Sequence, residues 1–192
     1  MCIKLQRMGR HEIKELTPFK FNGELDYSYF VNIVNKNLIT EELLKLSFEK
    51  LKINKAYFYM QVHHMMEDNI IEYCKVKKID LNFLQKVGNY KFAQILIKDV
   101  KTFLQMFHIV NILTVNMEDI TLFSTEANLK ISTNQRNKGF FKAFPIELEL
   151  TESTTILVPD DTNSSFTFYS NEAKFSPESL KLIFRERMID IY

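Results

Sequence analysis

Between Ala143 and Ala173 the chain carries six acids, Glu147, Glu149, Glu152, Asp160, Asp161 and Glu172, and no lysine or arginine. Carboxylates gathered in this way can hold a hard cation, exchange protons with a substrate, or face a basic partner. The excess is local, because the whole chain has a formal net charge of +1. Residues 1–96 hold 15 lysines and arginines against 11 acids, and residues 97–192 hold 10 against 13, so the second half is the acidic one. Glu147 and Glu149 alternate with Ile146, Leu148 and Leu150, which sets the two carboxylates on the outward side of a half-buried strand. A solvated sheet edge and loop would give the same pattern. The sharper reading is an acidic sheet-edge surface for a basic partner, carried by Glu147, Glu149, Glu152, Asp160 and Asp161.

Pro159-Asp160 followed by Glu172-Ala173-Lys174 resembles the PD…ExK signature of metal-dependent nucleases. The resemblance implies that Asp160 and Glu172 hold a divalent metal while Lys174 orients or activates the attacking water. Tyr169, Ser170 and Asn171 depart from it, since they stand where that family places a buried apolar strand. A second metal set is His64 with Asp68, and with Glu67, one turn apart if QVHHMMED is helical. Such a set needs a further ligand from elsewhere, which nothing obvious supplies. A surface histidine near carboxylates is the plainer reading. Cys74, beside Lys75, could be an activated thiolate, but it falls on the inward side of its helix and reads better as a buried, inert thiol. Lys45, Lys50, Lys52 and Lys55, with Lys75, Lys77 and Lys78, could form a phosphate-binding patch. Nucleic-acid surfaces interleave arginine and aromatic residues, whereas Arg7, Arg10, Arg136, Arg185 and Arg187 are dispersed. The glycines, at 9, 23, 88 and 139, are too scattered to cradle a phosphate, and no GxSxG or HExxH run exists.

The elements that would position these groups divide at about Asn111. Phe92, Ala93, Leu96, Ile97, Val100, Phe103, Leu104, Phe107 and Val110 recur at helical spacing and predict one long amphipathic helix over 89–111. Ahead of it the spacing predicts helices from Asp26 to Leu38, from Thr40 to Leu51 and from Lys55 to Val76, with a short turn of helix in DLNFLQKV. After it, alternation predicts strands near 120–124, 129–132, 146–150, 155–158 and 166–169. Ser176, Pro177 and Glu178 then open a final helix whose apolar stripe reaches Ile191.

The expected fold is therefore α+β: a helical N-terminal layer (26–110) packed on an antiparallel sheet (112–170), with a C-terminal helix (176–190), all in one domain spanning 1–192. With 46% hydrophobic residues a substantial core is expected, and no secretory or membrane-spanning run is visible. Two cysteines make no disulfide framework, so a cytoplasmic location is expected. The functional expectation is a non-catalytic macromolecule-binding protein of inhibitor, immunity or adaptor type, with no cofactor. The metal-dependent nuclease and a nucleic-acid-binding module on the lysine-bearing helices stand as alternatives.

Overall fold

The stretch Ala56–His63, AYFYMQVH, forms β4. Ala56, Phe58, Met60 and Val62 turn to one side of the sheet, and Tyr57 and Tyr59 to the other. A strand buried on both faces has almost no polar positions, so its sequence loses the alternation that marks a half-buried strand. The same property hides β6 (Tyr90–Ile97), the neighbour of β4 in the sheet. The computed structural model describes residues 3–9, 19–33, 55–99, 101–103, 105, 106, 109, 121–133, 146–159, 165–183 and 189–191.

The described strands, in chain order, are β1 (Ile3–Arg7), β2 (Phe19–Asn22), β3 (Tyr27–Ile33), β4, β5 (Leu81–Val87), β6 (Tyr90–Ile97), β7 (Thr121–Ser124), β8 (Ile131–Thr133), β9 (Ile146–Glu149), β10 (Thr155–Pro159), β11 (Ser165–Ser170) and β12 (Ile189–Ile191). Nine of them form one sheet in the order β12-β1-β3-β11-β10-β7-β4-β6-β5, antiparallel throughout except for the β12–β1 pair. The other three form a small sheet, β2-β9-β8, in which β2 runs parallel to β9. The described helices are α1 (Glu67–Lys77) and α2 (Pro177–Ile183), with further helical residues after Asp99.

The helical N-terminal layer is not what the described residues of 26–110 form. Asp26 does not cap a helix: Tyr27, Phe30 and Val31 belong to β3, whose register runs from Ser170↔Tyr27 to Ser165↔Asn32. The helix expected from Thr40 to Leu51 lies outside the described residues. The one expected from Lys55 to Val76 is β4, a short 3-10 turn at His64–Met66, and α1. DLNFLQKV is β5, with Leu84 as an extra, bulged residue between Phe83↔Ala93 and Gln85↔Phe92. The long helix splits at Asp99. Its first half is β6, and only then does helix begin, with the Asp99 carboxylate accepting from Thr102 N (2.6 Å) and its carbonyl from Phe103 N (3.1 Å). The final helix is capped by Ser176, whose Oγ accepts from Ser179 N at 3.2 Å, but Ile189–Ile191 is strand, paired with β1.

Two layers cover the large sheet. Ile70 and Cys74 of α1, with Phe103, Met106 and Ile109, close over Phe58, Met60, Val62, Ala93, Ile95 and Phe123. On the opposite face, Leu148 of β9 and Phe21 of β2 lie against Tyr59, Phe92, Leu122, Ile156 and Tyr169. The order is thus helices, large sheet, small sheet. Beside α2, Tyr29 donates its hydroxyl to the Phe175 carbonyl (2.9 Å), and Phe168 meets the Phe175 ring edge-on with centroids 4.7 Å apart.

Candidate acidic rim at one end of the sheet

The antiparallel register brings the start of β3, the end of β11, the start of β10 and the end of β7 to the same end of the large sheet. The segments that leave those strands carry Glu24, Asp26, Glu126, Glu152 and Glu172. β9 enters from the small sheet and adds Glu149 before the turn Thr151–Thr154 hands the chain to β10. The cations among these described segments are Lys130 and Lys174. Each already faces a carboxylate, Lys130 with Glu149 at 2.6 Å and Lys174 with Glu172 at 2.6 Å. The Lys130–Glu149 pair is well exposed and contributes little to stability.

Two side chains hold the rim in shape. The Glu126 carboxylate takes three hydroxyls on its Oε1 atom, from Thr154 (2.8 Å), Ser153 (3.2 Å) and Thr151. Its backbone carbonyl accepts from the buried Tyr59 hydroxyl (2.7 Å), which in turn accepts from Gln94 Nε2 (2.8 Å) and Leu129 N (3.3 Å). Asn171 ties the same turn to the segment before β3. Its Nδ2 donates to the carbonyls of Glu24 (2.9 Å) and Thr151 (3.0 Å), and its Oδ1 accepts from Asp26 N (3.0 Å). Gly23 completes the approach: its φ of +118° is open to glycine, and a Cβ there would lie 3.3 Å from the Leu150 carbonyl oxygen. Loops fixed in this way lose little further entropy on meeting a partner.

Of the residues singled out from the sequence, Glu147 is half-buried and accepts from Asn22 Nδ2 at 3.2 Å. Glu149 is the partner of Lys130, a lysine that strand pairing brings in from β8's side. Glu152 is exposed in the turn. Asp160 and Asp161 lie outside the described residues. Glu172 and Lys174 are brought together, and Glu172 Oε1 also accepts from Thr155 Oγ1 (2.7 Å), which pairs with the buried Ser170 hydroxyl (2.7 Å). Pro159, the residue before Asp160, sits at the other end of β10 from Thr155, about 13 Å away at the rise of an extended strand.

His64 opens a 3-10 turn, Asp68 lies in the first turn of the α1 helix that follows it, and Glu67 pairs with Lys91. Among the described residues no group of three His, Cys, Asp or Glu side chains is placed to hold a metal ion. Cys74 is buried, and that burial pushes its thiol up to about 11, so the nucleophilic thiolate is scarce near neutral pH. Glu126, Asn171 and Tyr59 escaped the sequence reading. The one local signal was the hydroxyl-rich run Thr151–Thr155, which reads as an ordinary turn until Glu126 is placed against it.

Comparison with known proteins finds no family model, curated protein or solved structure that matches this chain. Among the described residues no helix is long and apolar enough to cross a membrane.

Proposed function

We propose that the chain is a non-catalytic binding protein of inhibitor, immunity or adaptor type, which holds a basic macromolecule, a protein foremost, against the acidic rim. The observation that carries this reading is the double fastening of the rim. Glu126 gathers three hydroxyls from the β9–β10 turn, and Asn171 joins that turn to the segment before β3. Glu24, Asp26 and Glu152, all exposed, are then presented at fixed spacing. Such a surface steers an oppositely charged partner and holds it in one orientation. The unbonded Cys74 thiol in the core suits a reducing compartment, which supports a cytoplasmic site of action.

The test is parallel affinity capture from the native host with the wild type and with a Glu24→Lys/Glu152→Lys variant. A basic protein retained by the wild type, released by raised salt and lost with the variant is expected. With that protein purified, the double reversal should slow association on the order of tenfold at low ionic strength. Equal retention by both forms removes the rim from the function.

A further inference from the structure

The register that assembles the acidic rim also assembles its opposite beside it. Tyr57 pairs with Ser124, Ala56 with Ile97 and Leu81 with Ile95, so the start of β4, the end of β6 and the start of β5 continue the same sheet end past β7. The residues there are Lys55 before β4, Lys98 and Lys101 after β6, and Lys77 and Lys78 leading into β5, all of them exposed. The described acids in this half are Asp80 and Asp99, and Asp99 is committed to the helix start, where the Thr102 amide holds its carboxyl below the usual range. Along one end of one sheet, the β11, β10 and β7 positions are acidic and the β4, β6 and β5 positions basic.

A two-fold axis that crosses the sheet end between β7 and β4 maps each position onto its counterpart. It sets β7 over β4 of a second molecule and β10 beside β6, while the twist of the sheet carries the outer strands β11 and β5 out of line, so the contact is made by the strands next to the axis. Glu126 then faces Lys55 of the second copy, and Glu152 faces its Lys98. Every contact occurs twice. The alternative axis, along the line of strand ends, sets acid on acid and base on base.

Resting on the reading of the rim as a recognition surface, we propose that this sheet end is also where a second copy of the chain docks, its lysine half covering the acidic rim. The rim is then masked in the dimer and opens when a more basic partner competes for it.

Sedimentation velocity of the full chain, over a range of concentrations at low and at high salt, tests this. A salt-sensitive monomer–dimer equilibrium is expected. Glu152→Lys and Lys98→Glu should each weaken it about tenfold or more, because each sets like charges face to face twice. Mixing the two variants should restore association, since the mixed pair regains opposite charges at both contacts. A monomer under all conditions, or a dimer indifferent to both reversals, overturns the proposal. If a wild-type monomer still captures a basic protein in a Glu152-dependent way, self-docking fails and the rim's function stands. A charge-dependent dimer with no Glu152-dependent capture establishes self-docking and removes the capture of other proteins.

Discussion

Tyr59→Phe removes a single oxygen and should cost far more than a surface hydroxyl. The Tyr59 ring is buried between the two sheets and its hydroxyl makes three hydrogen bonds, donating to the Glu126 carbonyl and accepting from Gln94 Nε2 and Leu129 N. Gln94 retains a partner after the change, because its Nε2 also donates to the Ala127 carbonyl at 2.6 Å. Among the described residues Leu129 N has no second acceptor, and an unsatisfied buried donor costs about 1–3 kcal/mol. Loss of the bond to Glu126 adds about 1 kcal/mol. The expected destabilisation is about 2–4 kcal/mol, which for a chain of this size lowers the melting midpoint by roughly 5–15 °C. Urea unfolding should show a lower midpoint with an unchanged slope, and exchange of the Leu129 amide should accelerate selectively. Tyr57→Phe, on the same face and half-buried, is the control; among the described residues no hydrogen bond is seen for its hydroxyl. A Tyr59→Phe loss no larger than the control's would refute the view that this hydroxyl anchors the 125–129 segment.

Asn171→Ala should lower stability by about 1–2 kcal/mol in urea titration, since the three bonds it makes are exposed to competing water. It should also weaken capture of the basic partner with Glu24 and Glu152 left intact, which separates fixing the rim from charging it. Stability should fall steeply at alkaline pH. Burial raises Tyr29 from 10.0 to about 12 and Cys74 from 9.0 to about 11, so the folded chain keeps protons that the unfolded chain releases above pH 9–10. Their contribution is complete below pH 9 and is lost as pH climbs through 11 to 12, by about 2–3 kcal/mol for each group. Urea midpoints measured from pH 7 to pH 11 check this, and a flat profile would contradict the burial of both side chains.

What the sequence showed and hid follows from how each strand is buried. β9 reads plainly because Leu148 alone of its central residues turns inward while Glu147 and Glu149 meet water or polar partners. β10 and β11 lie within the expected strand region, bounded by turn residues. β4 and β6 lie in the interior of the nine-stranded sheet with a layer on each face, so nearly every position is apolar and any period can be fitted to them. The helical reading of 89–111 drew on Phe92, Ala93, Leu96 and Ile97, which the sheet divides between its two faces. The better evidence there was chemical: Ile95 and Ile97 favour a strand, and Asp99 is a stop and a cap in one residue.

The rim was less legible than the fold because its parts are far apart in the chain and carry no shared motif. Asn171 and Glu24 are separated by 147 residues, and Glu126 by 25 from the Thr151 hydroxyl that it accepts. A segment-by-segment charge count found the acids of 143–173 but could not find the lysine that strand pairing brings to Glu149. Nor could it find the separation of charge along the sheet end. In the chain, β4 and its lysine precede β7 and its glutamate by more than sixty residues; in the sheet they are neighbours. A net charge of +1 is therefore compatible with a strongly dipolar surface, because strand order, not sequence order, decides which charges stand side by side. For this protein, electrostatic reasoning becomes informative only once the topology is known, and it is the order β11-β10-β7-β4-β6-β5 that turns scattered acids and lysines into two adjoining halves of one sheet end.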